Sequence, residues 1–147
     1  MKGLIQRVTT AQVEVDGKCV GKINNGILLL LGVEKEDNTE TADKLLHKVL
    51  NYRIFADEDG KMNLNLQQSN GSLLIVSQFT LVAETNKGLR PGFSNGASPE
   101  RGLELYRYFV EQARQRHTSH VETGQYGADM QVSLTNDGPV TFMLECR

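Results

Sequence analysis

The chain has 147 residues, 39% of them hydrophobic and 23% charged, a balance that suits one globular domain with its own core. Sixteen Lys and Arg against eighteen Asp and Glu leave a formal charge of −2. That balance excludes a polybasic protein that grips nucleic acid by bulk charge, while a small basic patch stays compatible with it. The longest apolar run, residues 27–31, is far short of the ~20 residues of a membrane helix. Met1-Lys2-Gly3-Leu4-Ile5-Gln6-Arg7 turns polar too early for a signal peptide, and Cys19 and Cys146 form no spaced framework. A cytoplasmic protein with reduced thiols is therefore expected.

The first third reads as strands. Leu4, Gln6 and Val8, then Val13 and Val15, share the period of two of a half-buried strand. Asp16-Gly17 marks a tight turn into a return strand over 18–23, and Asn24-Asn25-Gly26 marks a second turn. Residues 27–33 then form a strand buried on both faces. Thr39 is the expected cap of an amphipathic helix over 40–51, with Glu40 and Asp43 in its first turn and Ala42, Leu45, Leu46, Val49 and Leu50 at helical spacing. A short strand over 52–55 and an exposed acidic turn over 56–61 follow. Eight acidic and four basic residues between 34 and 60 make this face repel phosphate.

Residues 72–82 are the most strand-like segment, with Ser77-Gln78 placed at the end of an apolar run. A Gly/Asn/Ser-rich loop over 84–98 carries Lys87 and Arg90, and loops of that length in compact domains are usually functional. Ser98-Pro99-Glu100 is a strong helix start, and Leu105, Phe109, Val110 and Ala113 carry that helix to about residue 116. A weak strand over 120–123 precedes two alternating runs, Met130-Val132-Leu134 and Val140-Phe142-Leu144. Between them Thr135-Asn136-Asp137-Gly138-Pro139 reads as a hairpin turn. The order predicts a single α+β domain over 1–147, with a mostly antiparallel, barrel-like sheet and two amphipathic helices.

Most site chemistries lack a signature. His47, His117 and His120 have no neighbouring third ligand, so no metal is expected, and no phosphate-cradling glycine loop occurs. Ser77 is not in a G-x-S-x-G elbow. The informative segment is Ser77-Gln78-Phe79-Thr80. One reading makes it the end of a buried strand whose hydroxyls satisfy local backbone. The other notes that three neutral hydrogen-bonding side chains and strand-end N–H groups converge before a basic loop. Such donors suit an oxygen that gains charge during acyl transfer. Gly138-Pro139 is either ordinary turn punctuation or, with a cis bond, a rigid backbone probe with two fixed carbonyls.

Ser77-Gln78-Phe79-Thr80-Leu81 together with Asn136-Asp137-Gly138-Pro139-Val140-Thr141 resembles the bacterial-type D-aminoacyl-tRNA deacylase family. The likeness spans the chain, including Gln6-Arg7-Val8, Asn51-Tyr52-Arg53-Ile54-Phe55 and Lys87-Gly88-Leu89-Arg90-Pro91; Pro139 disfavours the sister family with Gly-Thr there. The resemblance implies a cytoplasmic homodimer, without cofactor, that hydrolyses the ester between a D-amino acid, or glycine mischarged on alanine tRNA, and the 3′-terminal adenosine of tRNA. It implies Ser77, Gln78, Phe79 and Thr80 as the catalytic segment and a Gly138-Pro139 turn, entering from the other subunit, as the element that rejects L-amino acids. Lys87 and Arg90, and more weakly Arg7, are candidates for acceptor-stem phosphates. Membrane and DNA are not expected partners. Two alternatives remain open: a non-catalytic RNA-end or nucleotide-binding module, and a serine-type esterase.

Overall fold

The computed structural model describes all 147 residues. Strand β1 (Lys2–Val15) turns through Asp16 and Gly17, both at positive φ, into β2 (Lys18–Ile23), and β3 (Gly26–Gly32) follows. Helix α1 (Thr39–Asn51) leads to the small hairpin β4 (Phe55–Ala56) and β5 (Met62–Leu64). Then come β6 (Ser72–Ser77), a single 3-10 turn over Phe79–Val82, α2 (Pro99–Arg116), β7 (Val121–Thr123) and β8 (Gln131–Glu145). The main sheet runs β2-β1-β3-β6-β7, with β8 on the other edge of β1. It curls until Gly21 of β2 meets the Thr123 carbonyl of β7, a contact so close that a Cβ at position 21 would collide with it. The sheet is thus nearly a closed barrel.

Several expectations need correction. The sheet is mixed rather than mostly antiparallel, because β3–β6 and β6–β7 are parallel. Each of these pairs is joined by a connection that carries a helix across one sheet face, and such a crossover returns the chain in the same direction. Next, residues 130–134 and 140–144 are not partners in a hairpin. Both pair antiparallel with β1, so they form one long strand interrupted by a bulge: between the pairs Gln6↔Thr141 and Val8↔Asn136, Arg7 alone faces residues 137–140. Finally, β6 stops at Ser77 instead of reaching Val82. Its ladder partner β3 ends at Gly32, and the 3-10 turn folds over that glycine, where an added Cβ would lie 2.9 Å from Val82 Cγ1. The helix cap also moves by one residue, since Asn38 and Thr41 form a reciprocal capping box.

The apolar run of β3 is buried on both faces, as its sequence demands. Ile27, Leu29 and Leu31 join Leu73 and Ile75 of β6 beneath α1 and α2, where Leu45, Leu46, Val49, Leu105 and Phe109 complete the larger core. Leu28, Leu74 and Val76 point to the opposite face, into the barrel, against Val8, Val13 and Ile23. The first residue ties this layer to the loop after β3. The buried Met1 ammonium donates to Glu34 Oε1, Asp37 Oδ1 and the Cys146 carbonyl, each at 2.8 Å. No helix is long and apolar enough to cross a membrane.

Candidate active site

The parallel trio sets the site. The carboxyl ends of β3, β6 and β7 point to one side of the sheet, and the segments leaving these strands line one cavity of about 510 Å³. Leu31 and Val33 come from β3 and its exit, Ser77, Gln78 and Phe79 from the exit of β6, and Tyr126 and Ala128 from the loop after β7. Gly102 and Tyr106 of α2 form a further wall. Glycine at position 102 makes room for Tyr126, whose Oη would lie 2.5 Å from a Cβ there. Tyr126 packs against Tyr106 with the rings tilted by 41° and centroids 5.4 Å apart, and donates to the Pro99 carbonyl at 3.3 Å.

The expected catalytic segment is at the mouth. Ser77 is half-buried opposite Leu31, and the Gln78 N–H donates to the Leu31 carbonyl at 2.8 Å, which anchors the strand end. The chain then tightens into the 3-10 turn, with Leu81 and Ala83 N–H groups reaching back to the Gln78 and Thr80 carbonyls. The first N–H groups of such a turn have no partner inside it, and those of Phe79 and Thr80 find no acceptor elsewhere in the chain. Phe79 is 67% exposed despite its size and packs on Phe93 with centroids 5.2 Å apart. Thr80 is exposed, does not line the cavity, and its hydroxyl accepts from the Gln78 side-chain amide.

No carboxylate, imidazole, amine or guanidinium lines this cavity. Its titratable groups are two phenols, and burial raises both above their usual range, at Tyr106 against smaller opposing effects of Thr123 and Arg114. Neither loses its proton near neutrality. The cavity therefore offers neutral donors and apolar walls, with no general base and no activated nucleophile. No three His, Cys, Asp or Glu side chains gather to hold a metal ion.

Gly138 and Pro139 are exposed and line no part of the cavity, so one chain does not bring the two motifs together. They form the crest of the β8 bulge, with a cis peptide bond between them and Gly138 at φ +152°. The bulge is braced from below. Asn136 Oδ1 accepts from the Val140 N–H at 2.7 Å, and its amide reaches Thr141 Oγ1 at 2.9 Å. Arg7, with a side chain only 16% exposed, donates to the Asp137 carbonyl at 3.0 Å and to the Ile54 carbonyl at 2.7 Å. Within the chain its guanidinium supports the bulge. Lys87 and Arg90 stand at the tip of a loop closed by paired bonds between Glu84 and Gly92; both are exposed beside Leu89, which is fully exposed.

Sequence reasoning missed the cavity walls Phe93, Gly102, Tyr106, Tyr126 and Met130. A weak signal existed in Gly102 and Tyr106, four apart on one helix face, where a small residue leaves space beside a large one.

Comparison with known proteins decides the family. The model of the family described as D-Tyr-tRNA(Tyr) deacylase matches residues 4–145. The chain belongs to that family. Similar curated proteins named D-aminoacyl-tRNA deacylase include one from Actinobacillus succinogenes, 65% identical over 145 residues and covering 99% of both chains. Another, from Haemophilus influenzae strain Rd, is 65% identical over 144 residues, covering 98% of this chain and 99% of the relative. The solved structure of a protein named "c-Myc DNA Unwinding Element Binding Protein" superposes with a TM-score of 0.96 at 39% identity, covering 100% of this chain and 99% of that one. A second solved structure, described as a probable eukaryotic D-amino acid tRNA deacylase, has a TM-score of 0.84 at 17% identity, covers 98% of each chain and shares the fold.

Proposed function

We infer that this protein hydrolyses the ester of D-aminoacyl-tRNA, releasing free D-amino acid and tRNA. Full-length identity near 65% to proteins named for that activity carries the reading. The cavity's chemistry supports it: an aminoacyl ester is already activated, so positioning and charge stabilisation suffice without a strong base. Water attacks the ester carbonyl, and the free N–H groups of Phe79 and Thr80 stabilise the oxyanion that forms. Ser77 and Gln78 orient the amino group and the terminal ribose, whose 2′-hydroxyl helps activate water. The apolar walls, with Phe79 and Phe93 at the mouth, hold the terminal adenosine.

Selectivity belongs to Gly138-Pro139. In this reading the protein is a cytoplasmic homodimer, and the bulge of one subunit enters the cavity of the other. Its exposed position, its distance from its own cavity and its bracing by Arg7 and Asn136 support supply across an interface. The Gly138 and Pro139 carbonyls then occupy the space an L side chain needs, which rejects every L-amino acid without reading its identity and leaves glycine, including glycine on alanine tRNA, as a substrate. Lys87 and Arg90 meet acceptor-stem phosphates.

The test compares hydrolysis of D-tyrosyl-tRNA and L-tyrosyl-tRNA by the wild type and by a Gly138→Ala/Pro139→Ala variant. Cleavage of the D ester alone, with loss of activity or of chiral discrimination in the variant, is expected. A second reading, a non-catalytic nucleic-acid-binding module, draws on the 39% identical relative, whose name is that of a DNA-binding protein. It requires the wild type to bind both tRNAs and cleave neither.

A further inference from the structure

A second cleft lies between α2 and β7. It has a volume of about 340 Å³ and is lined by Tyr106, Arg107, Glu111, Arg114 and Gln115 of α2 with Thr123 of β7. Tyr106 is a wall common to this cleft and the cavity, and the chain runs from Thr123 directly into the loop of Tyr126 and Ala128. Arg107 and Arg114 are exposed and unpaired, whereas the other α2 arginines are engaged: Arg101 with Glu104 at 3.1 Å and Arg116 with Asp43 at 2.9 Å. Glu111 stands between the two arginines in sequence, lines the same cleft and forms no ion pair with either.

We propose that this cleft holds the RNA strand next to the ester-bearing nucleoside, with Arg107 and Arg114 on its phosphates. The proposal rests on the tRNA ester reading above. Spacing supports it. At 1.5 Å per helical residue, Arg107 and Arg114 lie roughly 7.5 and 18 Å along α2 from Gly102 in the cavity wall. At the ~3.4 Å per nucleotide of a B-form strand, these positions fall about two and five nucleotides upstream of the terminal one. Charge supports it as well. On a chain of net charge −2, two unpaired guanidiniums in one cleft make a local anion site, and the Gln115 amide and Thr123 hydroxyl add neutral donors. Glu111 weakens that site and limits affinity, as suits an enzyme that must release each tRNA.

The experiment uses two substrates, D-tyrosyl-tRNA and the D-tyrosyl ester of adenosine alone, with wild type, Arg107→Gln/Arg114→Gln and Glu111→Gln. The double variant should raise KM for the tRNA at least tenfold at unchanged kcat and leave the adenosine ester unaffected. Its plot of log(kcat/KM) against log[salt] should be shallower by about 1.4, the ~0.7 expected for each of two lost contacts to a single strand. Glu111→Gln should lower KM for the tRNA. The inference is overturned if the double variant keeps the wild-type KM and salt slope, if both substrates suffer alike, or if Glu111→Gln fails to tighten tRNA binding. Those results leave the deacylase reading intact so long as the wild type cleaves the D esters. A wild type that cleaves neither ester overturns both.

Discussion

Gly102→Ala separates the stability of this fold from the fitness of its cavity. The added Cβ would lie 2.5 Å from Tyr126 Oη, whereas ordinary contact begins at 3.4 Å, so the tyrosine must retreat by about 1 Å. Its hydrogen bond to the Pro99 carbonyl, already 3.3 Å long, is then lost at a cost of about 1 kcal/mol. The tilted aromatic pair with Tyr106 weakens, and such pairs contribute about 0.5–1.5 kcal/mol. Against this, alanine inside an 18-residue helix gains about 1 kcal/mol over glycine. The sum is a net loss of at most about 1.5 kcal/mol, so Tm should fall by less than about 6 °C. The new methyl and the displaced ring both intrude on the cavity. KM for D-aminoacyl-tRNA should therefore rise about five- to tenfold, equivalent to about 1–1.4 kcal/mol. Thermal denaturation beside steady-state kinetics reads both quantities. A Tm loss above about 10 °C would show that Tyr126 has nowhere to go, and wild-type KM with wild-type Tm would remove this wall from the site.

Thr80→Ala should lower kcat/KM less than tenfold, because its hydroxyl meets the neutral Gln78 amide and no base that could activate it; single-turnover hydrolysis of D-tyrosyl-tRNA measures this, and a drop beyond a thousandfold at intact binding makes Thr80 the nucleophile. Glu34 supplies a pH-dependent contribution to stability. Burial alone would raise its pKa, but the bond to the Met1 ammonium and the charges of Met1, Arg147 and Lys2 outweigh that and hold it below 4.5. A depressed carboxylate stabilises the fold above its unfolded pKa, and that stabilisation is lost as pH falls through the folded value. Glu34→Gln should thus cost on the order of 1–2 kcal/mol at pH 7, with the gap to wild type closing below about pH 4.5 in urea titrations; a gap independent of pH would refute the linkage.

Local patterns were legible wherever one face or both faces of an element had to be buried. The run of 27–31 demanded a strand with no solvent face, and β3 is packed on both sides. Ser98-Pro99-Glu100 set the start of α2, where Ser98 accepts from the Arg101 N–H, and Asp16-Gly17 supplied the positive φ of the first turn. Thr39 suits a cap by residue type, but Asn38 takes that place because Thr41 completes a capping box with it. The 3-10 turn after Ser77 escaped the reading because residues 78–82 suit a strand, and the ladder ends where β3 ends, at Gly32, 45 residues earlier in the chain.

The sequence by itself determined the first turn, the two helices, the doubly buried strand β3 and the polar end of the apolar run at Ser77-Gln78, since these depend on periodicity, capping and contiguous residues, while its two motifs carried the family resemblance. Tertiary structure decided the direction of the strands and therefore the site. Alternation of side chains is identical in parallel and antiparallel ladders; helical crossovers pair β3, β6 and β7 in parallel and gather three strand exits around one cavity. The same holds for residues 130–144, whose two apolar runs fit a hairpin or one bulged strand equally well. Their common antiparallel pairing with β1 makes them one strand, and Arg7, 130 residues away from Asp137 in sequence, holds the Gly138-Pro139 crest outward.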